Sequence, residues 1–300
     1  MQNFAQKYFD KFNKHIFLVY SIHIINIFLA NYGILNTNKI KKVKEILAIY
    51  VIISSMITNG YEEKIAIKYS EIDQNLAMKP FALLNFLQDI ASKNAEDLGF
   101  GYSFIQPQNL AWFLLKYHME FEEYPFDTQE LILKTEPRGY NKLFAFRDFE
   151  LFSGEKLLGR MHSMWSMVYI ETRSMVPVPT VIPNNPRMQA FEKREDDLAF
   201  AKIAQITNPT LEKEFEVRYN DLDVNGHANN GNYIVWALEP LTFEFKNTHK
   251  IKILDMVYKK EAKFGEKLTS LIEFLDTNTT VHRLQNLNGE DLFQMQCVWG

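Results

Sequence analysis

Glu214-Phe215-Glu216-Val217-Arg218-Tyr219-Asn220-Asp221-Leu222-Asp223-Val224-Asn225-Gly226-His227 restates, at a constant offset of 150, the earlier stretch Lys64-Ile65-Ala66-Ile67-Lys68-Tyr69-Ser70-Glu71-Ile72-Asp73-Gln74-Asn75-Leu76-Ala77. Tyr69 falls on Tyr219, Asp73 on Asp223 and Asn75 on Asn225, with Ile67 and Val217, Lys68 and Arg218, and Glu71 and Asp221 as conservative pairs. A second match, Gly154-Glu155-Lys156-Leu157-Leu158 with Gly289-Glu290-Asp291-Leu292-Phe293, follows at an offset of 135, so the second copy is shorter in its middle. Two matches in the same order indicate a duplicated unit. The copies differ at a telling place: Ala77 stands in the first where His227 stands in the second. Only the second copy keeps a side chain there that moves protons near neutral pH.

Outward from these stretches, each copy reads as strand, helix and meander. In the first, Glu63 to Tyr69 alternates like a strand and Pro80 opens a helix. Its apolar face is Leu83, Leu84, Leu87, Ile90, Ala91 and Leu98, and Gly99 ends it. Strand-like runs follow at 110–121, 130–135, 142–152 and 156–170, divided by turn residues such as Gly139-Tyr140-Asn141 and Ser153-Gly154. The second copy repeats the order with a strand at 212–219, a short helix at 230–241 capped by Asn229 or Asn230, and strands at 250–263, 266–273, 280–287 and 291–299. Between the copies, Pro177, Pro179, Pro183, Pro186 and the charged run Glu192 to Asp197 mark a connection. A meander that wraps one amphipathic helix buries that helix's apolar stripe.

Composition narrows the classes of function. A chain of 300 residues that is 47% hydrophobic supports a large core. Its net charge of −4, with no basic stripe, gives no footprint for nucleic acid. The single cysteine, Cys297, excludes an internal disulfide framework and suits a reducing, cytoplasmic compartment, with the thiol read as a small buried residue. Residues 1–55 differ from the rest: they carry seven lysines against Asp10 and Glu45 in an Ile- and Asn-rich setting. The apolar run from Ile16 to Leu35 is interrupted by Ser21, His23, Asn26 and Asn31, which disfavours a spanning helix. We therefore expect residues 1–55 to be an N-terminal extension outside the native fold, with Met56 as the start, and membrane contact through it as the less favoured reading. The domain plan is then 56–175, a linker at 176–208, and 209–300.

The segment Asp223-x-Asn225-x-His227 gathers a carboxylate, an amide and an imidazole ahead of a helix, whose free N–H groups and partial positive charge suit a developing oxyanion. Taken singly, each of these residues is equally at home in an ordinary turn. A metal site from Asp223 and His227 lacks a further His or Cys at ligand spacing, and no cofactor is indicated.

The doubled unit, the segment Arg218 to Asn230 with Tyr233 beyond it, and the later Tyr258-Lys259-Lys260-Glu261 resemble the acyl-[acyl-carrier-protein] thioesterases over about residues 60 to 300. The resemblance implies an α+β fold of two tandem hot-dog domains, each an antiparallel sheet around a central helix. It further implies hydrolysis of fatty acyl thioesters on acyl carrier protein, with release of the free fatty acid in fatty acid biosynthesis. The catalytic positions it implies are Asp223, Asn225, His227 and Glu261, with the first domain holding the acyl chain. Plant relatives carry a cysteine after the glutamate, whereas this chain has Ala262, so water or a carboxylate must serve in place of a thiol. Glu261 with His227 would draw the proton from water. Asn225 would orient the base or donate to the carbonyl oxygen, and Asp223 would fix the Asn225 amide or the His227 tautomer. Without the resemblance, Glu261 reads as part of a solvated strand edge. Lys259, Lys260 and Lys263 are candidates for a patch that meets an acidic carrier. An acyl-CoA thioesterase, a hydratase/dehydratase and a non-catalytic acyl-binding protein are the competing readings, and monomer and homodimer both fit a fused pair.

Overall fold

A computed structural model describes residues 59–126, 130–182, 185, 187–223 and 226–300. The expected N-terminal extension and Asn225 lie outside these residues. In the first copy, β1 (Tyr61–Ile65) leads to α1 (Pro80–Asp97) and then to β2 (Leu110–Phe121), β3 (Leu131–Tyr140), β4 (Phe144–Ser153), β5 (Lys156–Tyr169) and the two-residue β6 (Met175–Val176). The second copy runs β7 (Leu211–Glu216), α2 (Asn230–Leu238), α3 (Phe243–Thr248), β8 (Ile251–Tyr258), β9 (Lys267–Phe274), β10 (Thr279–Asn286) and β11 (Asp291–Trp299).

Helix α1 starts at Pro80, which lacks the N–H that a first turn leaves unused. It ends where Gly99 takes φ +80°, a conformation that glycine adopts without a Cβ clash. Its buried stripe is Leu83, Leu84, Leu87, Ile90 and Ala91, as the spacing predicts. Asn229 caps α2 by accepting the N–H of Gly231, and the helix buries Tyr233, Ile234, Trp236 and Ala237. The two helices meet at Gly231: a Cβ there would lie 2.8 Å from Cδ2 of Phe81.

The strands form one antiparallel sheet in the order β1-β3-β4-β5-β2-β8-β11-β10-β9-β7, with β6 on β5. Strand β2 of the first copy pairs with β8 of the second from Lys116↔Val257 to Glu120↔Ile253. The copies therefore share a sheet as well as a core in which Leu87, Tyr117 and Met119 belong to the same buried cluster as Tyr233, Met256 and Phe293.

The duplication holds at the level of single hydrogen bonds. Asp73 donates its N–H to the carbonyl of Ala77 at 2.8 Å, and Asp223 donates to His227 at 2.7 Å. Oδ1 of Asp73 accepts from the N–H of Ala77 at 2.9 Å, and Oδ1 of Asp223 accepts from the N–H of His227 at 3.2 Å. The left-handed turn residue is Leu76 (φ +60°) in one loop and Gly226 (φ +75°) in the other. Upstream, the carboxylates of Glu71 and Asp221 accept the N–H groups of Lys68 and Arg218.

The boundaries depart from the sequence reading at two places that matter for function. The run expected to continue as strand to Lys263 stops at Tyr258. Lys259 and Lys260 both donate to the carbonyl of Leu292, at 2.8 and 3.2 Å, so the one-to-one ladder breaks and the chain leaves the sheet. The first copy breaks in the same way, with Glu122 and Glu123 both donating to Leu158. Part of the stretch read as irregular connection is also ordered: β6 closes a hairpin onto β5 through Met167↔Val176 and Val168↔Met175.

Candidate active site

His227 closes the Asp223 loop and faces the segment that follows β8. The main chain of His227 bridges to Lys263, and the N–H of Ala228 donates to the carbonyl of Ala262 at 3.1 Å. This brings Glu261, far away in sequence, beside the imidazole: Oε2 of Glu261 is 3.7 Å from Nε2 of His227. The two side chains are about equally sheltered, 24% and 20% exposed, which corrects the reading of Glu261 as part of a solvated strand edge. Tyr233 of α2 fixes the glutamate from both sides. Its hydroxyl accepts the N–H of Ala262 at 2.7 Å and donates to the carbonyl of Lys260 at 3.4 Å. Burial pushes that phenol well above its ordinary pKa, so it stays a neutral hydrogen-bonding group.

His227 and Glu261 come together. Asp223 is bonded into the loop backbone through its Oδ1. Its counterpart Asp73 does the same in a loop without a histidine, so loop closure is a structural task of this aspartate.

Arg173, which composition and spacing did not single out, stands between His227 and Glu261. It sits in the tight turn between β5 and β6, where its N–H donates to the carbonyl of Tyr169 at 2.9 Å. Its φ is +56°, a conformation costly for a residue with a Cβ, on the order of 1–3 kcal/mol. The guanidinium Nε forms an ion pair with Oε2 of Glu261 at 3.0 Å, and Nη2 lies 2.8 Å from Nε2 and 3.2 Å from Nδ1 of His227. No local pattern reveals such a residue: it lies in a stretch dominated by prolines and charge, and its role follows from the hairpin that β6 makes.

The three side chains border a pocket of about 130 Å³. Its walls combine these polar groups with apolar side chains of both copies, among them Trp112, Leu114 and Val168 from the first and Tyr258 from the second. Outside it, a groove of about 470 Å³ runs past Lys263, Phe264 and Glu290 and meets the pocket at Lys260 and Glu261, which line both. The expected basic patch is largely balanced: Lys259 pairs with Asp291 at 3.1 Å and Lys260 with Glu290 at 2.7 Å. The free N–H groups expected where the loop meets the helix are mostly engaged as well. Asn229 donates to the carbonyl of Asp221, Gly231 to the Asn229 side chain, and Asn232 to the Asn229 carbonyl.

The equivalent place in the first copy is not a site. Ala77 bridges to Phe126 as His227 bridges to Lys263, and Met78 donates to Pro125 as Ala228 donates to Ala262. Counting back two residues from each bridge sets Tyr124 where the second copy has Glu261. Both reactive side chains of the second copy are therefore replaced in the first.

Comparison with known proteins gives matches over both copies. Residues 58–184 match the model of the acyl-ACP thioesterase N-terminal domain and residues 204–300 that of the C-terminal domain. The chain is 27% identical over 249 residues to the oleoyl-acyl carrier protein thioesterase 2 of Arabidopsis thaliana and 25% identical to the oleoyl-acyl carrier protein thioesterase of Coriandrum sativum. Each alignment covers 77% of this chain and 67% of the plant protein. Among solved structures, an acyl-ACP thioesterase from Bacteroides thetaiotaomicron superposes with a TM-score of 0.71 at 21% identity, covering 81% of this chain and 98% of that one. The 12:0-ACP thioesterase of Umbellularia californica superposes with a TM-score of 0.71 at 19% identity and the same coverage. At these identities the superpositions speak for the fold.

Proposed function

This chain belongs to the acyl-ACP thioesterase family and is a thioester hydrolase of fatty acyl-ACP, and we propose that Glu261 and His227 activate the water that cleaves the thioester. The observation that carries this assignment is their meeting across the Ala228–Ala262 contact beside a pocket walled by both copies. Oε1 of Glu261 takes a proton as water attacks the acyl carbon. The tetrahedral intermediate then collapses with loss of the sulfur, which leaves with that proton as the free thiol of the carrier. General-base help of this kind contributes about 10²–10⁴ in rate. Asn225, between Asp223 and His227 in sequence, orients the base or donates to the carbonyl oxygen. Asp223 holds the loop that presents both.

The division of labour we propose gives residues 56–175 the acyl chain, residues 209–300 the catalytic groups, and residues 176–208 the connection. Apolar pocket walls drawn from β2 and β5 support the first part. An engineered cavity of about 150 Å³ holds one benzene, so a pocket of this size suits the carbons next to the thioester. The rest of a fatty chain then runs on past Leu114. The outer groove that meets the pocket at Lys260 and Glu261 suits the arm of the carrier's prosthetic group. We further infer a cytoplasmic enzyme, supported by the single cysteine, and one in which a single chain suffices because the two copies already share a sheet.

The test is free-thiol release by the full chain from a panel of acyl-ACP and acyl-CoA thioesters, beside His227→Ala. Release that prefers the carrier and falls at least about a hundredfold in the variant supports the assignment. Equal turnover by the variant overturns it.

A further inference from the structure

We propose that Arg173, delivered by the first copy, is a catalytic residue of the site in the second copy: its guanidinium donates to the carbonyl oxygen of the bound thioester and holds the oxyanion. This rests on the function proposed above and assigns the part of the reaction that His227 and Glu261 leave open.

An acyl transfer to water develops a negative charge on the carbonyl oxygen, and preorganised donors around that atom supply a large part of the rate. The N–H groups of Asn229, Gly231 and Asn232 at the start of the helix are already engaged, so that of Asn230, a residue of the pocket wall, is the backbone donor left there to share this task with a side chain. Arginine presents five N–H donors in a rigid fork. In Arg173 the Nε is ion-paired with Glu261 at 3.0 Å, and Nη2 lies against both ring nitrogens of His227, at 2.8 and 3.2 Å. Among the described residues the two N–H groups of Nη1 make no hydrogen bond, and the residue borders the same pocket as His227 and Glu261. The two contacts that are made orient the fork. The ion pair with Nε also engages Oε2 of Glu261, which leaves Oε1 to take the proton from water.

The placement of the residue supports a functional purpose. A non-glycine residue at φ +56° is retained only where its surroundings enforce it, and such positions gather at sites of chemistry. The turn that enforces it is the β5–β6 hairpin, closed by the Arg173 to Tyr169 and Tyr169 to Ser174 backbone bonds. Electron flow in the step is conventional. Water oxygen bonds to the acyl carbon while the carbonyl π pair moves onto oxygen beside Arg173. When that pair returns, the carbon–sulfur bond breaks and the thiolate takes the proton held by Glu261.

Arg173 could instead act only by holding Glu261, and a double-substitution cycle separates the two roles. Full-length protein carrying Arg173→Gln, Glu261→Gln or both is assayed for thiol release from acyl-ACP, beside Arg173→Lys and His227→Ala, with circular dichroism as the check on folding. Loss of an oxyanion donor is expected to lower kcat about 10²–10³-fold with little change in KM, and to do so again in the Glu261→Gln background. Arg173→Lys is expected to recover part of the loss. Arg173→Gln within about threefold of the unsubstituted enzyme, or no additional loss in the Glu261→Gln background, overturns the proposal. Should Arg173→Gln misfold, weakened binding of an acyl trifluoromethyl ketone by Arg173→Lys supports the proposal, and unchanged binding overturns it. Absence of thiol release by the unsubstituted chain would refute the parent assignment instead, so the two failures are distinguishable.

Discussion

Oε2 of Glu261 lies 3.7 Å from Nε2 of His227, beyond the reach of a direct hydrogen bond, with the guanidinium of Arg173 ion-paired to the first and within hydrogen-bond distance of the second. The carboxylate and the imidazole therefore act as one assembly. Residues that work as a unit show non-additive losses. Glu261→Gln and His227→Ala are each expected to lower kcat by about 10²–10⁴, and the double variant by much less than the product of the two factors. Steady-state thiol release from acyl-ACP checks this, and multiplicative losses would show that the two groups act independently.

Tyr233 brackets Glu261 by accepting the N–H of Ala262 and donating to the carbonyl of Lys260. Tyr233→Phe removes the acceptor and leaves the N–H of a fully buried alanine without it. An unmet buried donor costs about 1–3 kcal/mol. The expected result is a lower denaturation midpoint together with reduced kcat, because the peptide that aims Glu261 loses its clamp. Stability loss with unchanged turnover per folded molecule would confine the phenol to a structural part.

Asp73 and Asp223 make the same backbone bond in the two copies, but only one loop carries a histidine. Replacing either by Ala removes a charge-assisted bond on a partly exposed loop, and each is expected to destabilise the chain by about 1 kcal/mol. Activity should separate them: Asp73→Ala retains turnover and Asp223→Ala loses it, since the second loop presents His227. Chemical denaturation and thiol release on the same preparations report both quantities.

The comparison of the two copies explains what a reader of the sequence can and cannot see. The duplication, the α1 stripe and the strands at 110–121 and 291–299 follow from local pattern and emerge at or near the expected boundaries. The pair Ala77 and His227 is visible because the loops align without gaps. The pair Tyr124 and Glu261 is hidden, because it depends on where β2 and β8 leave the sheet, a matter settled by two N–H groups sharing one carbonyl. Periodicity instead carries the strand on to Lys263. Arg173 is hidden for another reason: its partners are 54 residues away or more, and the hairpin that turns it toward them is only two residues long on its β6 side.

Acid stability is expected to depend on a histidine away from the reaction. His282 is fully buried on β10, with its ring nitrogens bonded to the carbonyl of Ala237 and the hydroxyl of Thr280, each at 2.7 Å. Burial lowers its pKa from 6.5 to about 4, only partly offset by the bond to Ala237. The unfolded chain then binds a proton below pH 6.5 that the folded chain refuses until about pH 4, so unfolding is favoured as the pH falls through that window. At 1.36 kcal/mol per pH unit, acidification from pH 6.5 to 5 should remove about 2 kcal/mol through this group. His282→Gln keeps a polar side chain but cannot titrate, so its stability should vary less with pH over the same range, although it starts lower at pH 7. Urea denaturation at pH 7, 6 and 5 measures both slopes. Parallel slopes would show that protonation of His282 is not what acid acts on.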